Sequence, residues 1–444
     1  MFLMKHPVAV MFLLGFVLSP LLHPGSAEAI PAFSRQHKTE CSTCHTIYPE
    51  LNEFGDAFLK NSYVWPAAKK GAAAAKAPEE KPGTEWSKIS GLPEQIPISL
   101  TGTADFAYDD NAFDGSKYDL STRSLRLHAG GSFRDVAGFF GTYNLYSQGQ
   151  QRAQVSQTPT NSVGSSSPSS SANTPPNNTP NINELFLVWR HALDTPINLK
   201  VGRFEPKLSL WKKSNRVVAV PSYASTTYLV GNSPFSIDAP EDGIELNALL
   251  GNRVLVAGGL VDRNGQNQKD GYGHVSFKLG GTDFKGHEPE IDLEGESIWD
   301  FLTITMGAFG YWGRNGQFDN FGVAQNLNDF RRAGAEMDVL YKRLHLKGSG
   351  SFGRDSNPML ADTPVEFDSH AYSFEGEYYL GAPVNLIPLF RYEYQRGIDG
   401  GTTRYIPAIA YAPLQNTRLT LEYMFSDTPG GIDRVTFASV AFSL

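Results

Sequence analysis

The sequence predicts a mainly β chain: an outer-membrane antiparallel β-barrel of about 16 strands with a small helical segment at its N-terminus. Three observations carry this. From Ile96 onward apolar and polar residues alternate with period two between Gly, Asn and Asp turns, as in Leu344-His345-Leu346-Lys347 and from Phe374 to Tyr379. Only the start of the chain holds a long apolar run, which excludes a multi-helix membrane protein with its repeated spans of about 20 apolar residues; alternating strands escape that test. Aromatics make up 12% of the chain, an excess that the interfacial girdles of a membrane barrel would use. The net charge of −8 excludes a nucleic-acid binder, which would carry a basic stripe.

Residues 1–29 read as a secretory signal. Lys5 supplies the positive start, Val8 to Leu22 is almost wholly apolar, and Ala27-Glu28-Ala29 offers small residues for cleavage before Ile30. An uncleaved anchor is disfavoured because the run is short and broken by Gly15 and Pro20.

Residues 30–65 hold both cysteines, in Cys41-Ser42-Thr43-Cys44-His45. C-x-x-C-H is the attachment string of c-type haem. Two thiols at that spacing can each add to one porphyrin vinyl group, and the next residue is placed to coordinate iron. Cys41 and Cys44 are therefore the covalent sites of one haem c, and His45 its proximal iron ligand. A redox C-x-x-C would sit in a βαβ pattern, and a structural zinc needs further Cys or His at finger spacing; neither pattern follows. Downstream, Leu51, Phe54 and Phe58 recur at i, i+3 and i+7 to give a helix one apolar face, with Pro49 in its first turn, Gly55 free for close packing and Asn61 at its end. Roughly 35 residues cannot bury a core of their own, so this segment must lean on something larger.

The sixth iron ligand is open at this level. No Met follows the signal before Met306, which leaves His37, four residues before Cys41, as the nearest distal candidate. The alternatives are a wall residue (His128, His191, His274, His287, His345, His370 or a late Met) or an open sixth position.

Residues 66–95, rich in Ala, Lys and Pro, read as a linker. Residues 96–444 form the barrel, with strands expected to begin near 97, 119, 135, 182, 196, 243, 253, 270, 299, 330, 344, 367, 384, 403, 416 and 434. Short turns are expected at Leu250-Gly251-Asn252-Arg253 and Gly381-Ala382-Pro383, and a long exposed loop, extracellular, from Gln148 to Pro180. Ala438, Val440, Phe442 and Leu444 share one face, which suits a lipid-facing closing strand. A secreted β-sandwich or propeller is the rival architecture, but no repeat of fixed period is visible. From His287 to Glu296 carboxylates occupy alternate positions, a pattern that could gather a divalent cation such as Fe(II) or form a solvated acidic loop.

Ala29-Ile30-Pro31-Ala32-Phe33-Ser34-Arg35-Gln36, then Cys41-Ser42-Thr43-Cys44-His45, then Leu51-Asn52-Glu53-Phe54-Gly55, resembles the start of the fused monohaem cytochrome c–porin family of the bacterial outer membrane, whose best-known members are iron oxidases. The barrel resembles that family only in length, strand pattern and order. The resemblance implies an outer-membrane location in a Gram-negative bacterium, with the cytochrome segment as a plug on the periplasmic and lumen side. It also implies a soluble cytochrome or similar periplasmic carrier as one electron partner, and an extracellular donor or acceptor, iron among them, as the other. Three function classes follow: an electron-transfer conduit acting on extracellular Fe(II); a diffusion porin with a structural or sensory haem plug; and a haem-based ligand-binding or catalytic module.

Overall fold

Sixteen antiparallel strands close on themselves. The computed structural model describes residues 32–37, 39–65, 98–112, 117–133, 136–147, 181–218, 223–230, 233–262, 269–288, 297–318, 324–398 and 400–444. The signal, the 66–95 linker, the Gln148 to Pro180 run and most of the 287–296 acidic stretch lie outside them. The barrel strands are β1 (Ile98–Asp109), β2 (Tyr118–Phe133), β3 (Ala137–Ser147), β4 (Asn181–Trp189), β5 (Ile197–Phe204), β6 (Glu241–Leu250), β7 (Val254–Asp262) and β8 (Asp270–Leu279). They continue as β9 (Leu302–Phe318), β10 (Ala324–Tyr341), β11 (Leu344–Asp355), β12 (Phe367–Tyr378), β13 (Leu386–Gly397), β14 (Gly400–Leu414), β15 (Thr417–Thr428) and β16 (Gly431–Ser443). Each pairs with its chain neighbours, and β16 pairs with β1 to close the barrel, Phe442 opposite Gly102. Closure leaves no unpaired sheet edge, the condition for a β structure to cross lipid.

The alternation seen in the sequence separates the two faces. On β11, Leu344 and Leu346 point outward, 37% and 43% exposed, while Lys347 and Ser349 are buried inside. On β12, Phe374 faces out at 57% while Glu375 and Glu377 face in. Outward rings of β12 to β15 form a lateral row in which Tyr372 touches Tyr392 and Tyr394, Tyr392 touches Tyr405, and Tyr405 touches Phe425. An apolar exterior with such a girdle is the surface of a membrane barrel.

Because strands alternate in direction, the start of β1, the end of β16 and the strand ends joined by the β2–β3, β4–β5, β6–β7 and later even-to-odd connections share one end. The β6–β7 turn there is the expected one, with Gly251 and Asn252 at φ 54° and 60°, the left-handed pair that a tight hairpin needs. β3 ends and β4 begins at the opposite end. β8 ends and β9 begins at the end where β1 starts, and residues 289–296 between them lie outside the described residues.

The interior is filled from two sources. The described residues of the β5–β6 connection (205–218, 223–230 and 233–240) turn inward: Leu208, Val217, Val218 and Ile237 are at most 3% exposed. Leu210 N donates to Glu336 on β10 at 2.8 Å and Ala224 N to Glu393 on β13 at 3.1 Å. Arg216 pairs with Glu375 on β12, and Arg418 on β15 donates to the Arg216 carbonyl at 2.9 Å. The described residues of 32–65 make the second set of contacts, with inward-facing wall groups and with the β5–β6 connection. Phe58 and Tyr63 join Phe186, Phe204 and Tyr311 in one apolar cluster, and Ile47 joins Val217, Ile387 and Ala410 in another.

The N-terminal segment departs from the helical unit expected. It contains a six-residue helix α1 (Ala32–His37), a 3-10 turn Cys41–Thr43, a two-stranded ribbon (His45–Ile47 with Glu50–Leu51) and one eight-residue helix α2 (Glu53–Lys60). Leu51 and Pro49 belong to the ribbon rather than to the helix, because Asn52 caps α2 and starts it one residue later. Asn61 ends it, as expected.

Candidate functional site

The C-x-x-C-H turn is clasped by the residues that follow it. The Asn52 side chain does two jobs: its Oδ1 accepts from Gly55 N at 3.0 Å, capping α2, and its Nδ2 donates to the carbonyls of Ser42 and Thr43 at 3.0 and 3.1 Å. Gly55 lies so close to the Cys44 carbonyl that a Cβ there would overlap it. Glu53 reaches the wall, at 3.0 Å from Lys278 on β8 and 2.9 Å from Thr303 on β9. Leu51-Asn52-Glu53-Phe54-Gly55 is thus a clamp, tying the cysteine turn to a helix and the helix to the barrel.

One prediction follows from the glycine. Gly55→Val forces backbone apart where nothing flexible can yield, an overpacking cost of about 1–3 kcal/mol. The folded barrel is expected to keep its heat-modifiable migration on gels, while limited proteolysis within residues 41–60 speeds up roughly tenfold, the factor that 1.4 kcal/mol corresponds to.

Cys41 and Cys44 are both free thiols. Burial pushes both up from their ordinary values, Cys44 to about 11. His45 sits in the ribbon with Nδ1 at 3.1 Å from the Pro49 carbonyl and 3.3 Å from the Glu50 carbonyl. Both partners are acceptors, so Nδ1 carries the proton and Nε2 keeps its lone pair. Burial lowers the ring's proton affinity and keeps it neutral, the form a metal ligand needs.

His45 lines a cavity of about 810 Å³ between the N-terminal segment, the 205–240 loop and the wall; Ser42, Thr43, Phe54 and Trp65 also line it. That volume is within the usual range for ligand sites, about 300–1,000 Å³. His37 stands apart from this lining. Its ring stacks on Trp65 with centroids 4.2 Å apart, edge-on to Phe58, and its Nε2 is buried with no hydrogen-bond partner. A buried imidazole nitrogen without a partner has a lone pair to offer, and both ring nitrogens of His274 on β8 share that state.

Among the wall candidates, Met424 on β15 is buried at 2% exposure and packs with Ile406 and Phe437 rather than on the cavity. Met306 and Met337 face outward, 43% and 49% exposed, and Met359 is 45% exposed, so none of these three can reach the interior site. His128 is held by Thr101 and Thr142, His287 by Asp283, and His370 lies on the outer face against Tyr394. His274 is buried on β8, 3.6 Å from Glu336. His345 alone of the wall histidines lines the cavity. It meets Glu50 at 3.3 Å, Glu377 at 3.4 Å and Asp338 at 2.9 Å.

Sequence reasoning missed Glu50, Lys347 and the inward loop. Glu50 is 5% exposed, and its carboxylate pairs with Lys347 on β11 at 2.8 Å. Burial opposes ionisation there, but Lys347 and His345 hold the Glu50 carboxyl well below the usual carboxylate range.

No family model and no curated protein matches the chain. Solved structures do resemble its barrel. They include the outer membrane channel DcaP of Acinetobacter baumannii (12% identity, TM-score 0.49, covering 79% of this chain and 97% of that one). An anion-selective porin from Comamonas acidovorans (10%, 0.49, 79% and 100%) and the trimer form of OmpT from Vibrio cholerae (11%, 0.49, 79% and 99%) are similar to the same extent. At such identities and TM-scores these likenesses assign no function to this chain.

Proposed function

We propose that this chain is an outer-membrane barrel carrying one haem c on Cys41 and Cys44, with His45 on the iron, and that it passes electrons across the outer membrane. The observation that carries this reading is His45 itself. Its Nδ1–H is committed to backbone carbonyls and its ring borders a ligand-sized cavity inside a closed barrel. Haem c, when bound, supplies a one-electron carrier. The chain's own residues do the rest: Asn52 and Gly55 fix the cysteine turn, and Phe54 and Trp65 give an otherwise largely charged cavity an apolar side. His37 is the distal ligand in this proposal, on the strength of its unpartnered Nε2. A soluble periplasmic cytochrome is the partner at the end bearing the termini, and an extracellular donor such as Fe(II) the partner at the other.

A diffusion porin whose N-terminal segment is structural is the second reading, and the fold favours it at least equally. A closed 16-stranded barrel with an inward loop is as well suited to solute passage as to holding a haem. The test is the visible spectrum of intact cells expressing the chain, before and after adding Fe(II) or a membrane-impermeant reductant. Conversion of a covalent haem to its reduced bands from outside is the expected result. Solute flux without any haem band would establish the porin reading in its place.

A further inference from the structure

The ribbon that bears His45 is braced on two sides of the barrel. Tyr48 lies against Thr101 on β1 and Ser443 on β16, and Ile47 packs into the cluster with Val217, Ile387 and Ala410. On the other side the Glu50 carboxylate meets Lys347 at 2.8 Å and His345 at 3.3 Å. Lys347 is itself pinned by Glu377 at 2.8 Å and Glu375 at 3.5 Å. Glu50 is also the residue whose backbone carbonyl, with that of Pro49, accepts the His45 Nδ1–H. One residue therefore joins a wall cation to the hydrogen bond behind the imidazole.

We propose that Lys347, a residue of the barrel wall, is a positioning residue for His45: by holding the Glu50 side chain it holds the Pro49 and Glu50 carbonyls on Nδ1–H and sets the donor strength of Nε2. This rests on the haem reading above. A hydrogen bond behind a ligating imidazole raises its basicity and favours the higher oxidation state of the metal. The pair is 3% and 6% exposed at its side chains, so salt screens it little and it is not free to wander. The other wall grip, Lys278 on Glu53, holds α2 and touches neither carbonyl. Lys347, with His345 beside it on the same carboxylate, thus ties the wall to the ligand's own hydrogen bond.

The sign of the effect separates positioning from plain charge. Losing a positive charge near the iron favours Fe(III) by Coulomb's law. Losing the brace weakens the Nδ1–H bond and favours Fe(II). The experiment is a redox titration of full-length protein from membranes, with covalent haem measured on the same preparations. Lys347→Met is expected to move the Fe(III)/Fe(II) equilibrium toward Fe(II) by about tenfold, which is 59 mV for one electron. Lys347→Met combined with Glu377→Gln keeps the net charge and leaves fewer carboxylates unpaired, and it is expected to move the equilibrium the same way. Lys347→Arg should restore it, and Lys278→Met should leave it unchanged or move it toward Fe(III). A shift toward Fe(III), or none, in the charge-neutral double variant overturns the positioning role, as does an equal shift in Lys278→Met. Wild-type protein without covalent haem overturns the haem reading and this inference with it.

Discussion

Changing Cys41 and Cys44 together to serine is expected to leave the barrel assembled and to cut acid-stable haem to less than about a tenth of the wild-type amount. Both thiols lie on one short turn, Cys41–Thr43 with Cys44 as its cap, held by the Asn52 side chain and by close packing of Gly55. Serine fits the same turn and keeps that backbone, so the wall contacts of Glu50 and Glu53 persist, but a hydroxyl does not form the thioether. His45→Ala is expected to behave differently. The thiols remain, so attached haem survives in part, with the low-spin spectrum lost. Staining for covalent haem after acid extraction, beside heat-modifiable migration as the measure of assembly, reads both. Undiminished acid-stable haem in the double serine variant would mean that the string is not an attachment site.

The barrel was legible because its code is redundant. Each strand repeats the inside–outside alternation several times, so one ambiguous residue does not shift the reading. Fifteen of the sixteen strands begin within about three residues of the expected position, and β10 begins at Ala324 rather than near 330. There Asn326, Asn328 and Asp329 mimic turn residues, yet their backbone pairs with the long hairpin partner β9. Polar composition argued for a loop, and the ladder overrode it.

The site was legible only where its chemistry is written contiguously. Cys41, Cys44 and His45 sit together in sequence, and Gly55 stands within reach of them. Glu50 and Lys347 meet across 297 residues of chain, and no local pattern records that meeting. The inward course of residues 205–240 was hidden for the same reason. Leu208, Leu210, Val217 and Val218 are apolar residues in a connection, a mark of burial, but which wall they meet depends on barrel closure. The helix face expected at Leu51, Phe54 and Phe58 was half right. Phe58 is core and Phe54 borders the cavity, while Leu51 pairs with His45 in the ribbon instead.

The full chain in a planar bilayer is expected to be nearly closed to ions, and removal of residues 32–65 together with 207–218 to raise its conductance at least roughly tenfold, because 16-stranded barrels otherwise leave an aqueous channel. Two apolar clusters now occupy the interior, and burying side chains such as Ile47 and Phe58 is worth about 1.5–3 kcal/mol each, enough to keep that filling in place. Removing it strips partners from Glu336, Asp338, Glu375 and Lys347. In a dry core an orphaned charge would cost about 3–5 kcal/mol, but water entering an open pore solvates each one, so the strands can stay paired. Heat-modifiable migration of the deleted protein verifies assembly before any current is recorded. The comparison also decides between the two functional readings. A wild-type barrel that conducts as freely as the deleted one is a diffusion porin, and its N-terminal segment then serves the wall. A closed wild type that opens on deletion keeps solutes out and leaves the segment itself as what the barrel is built to hold.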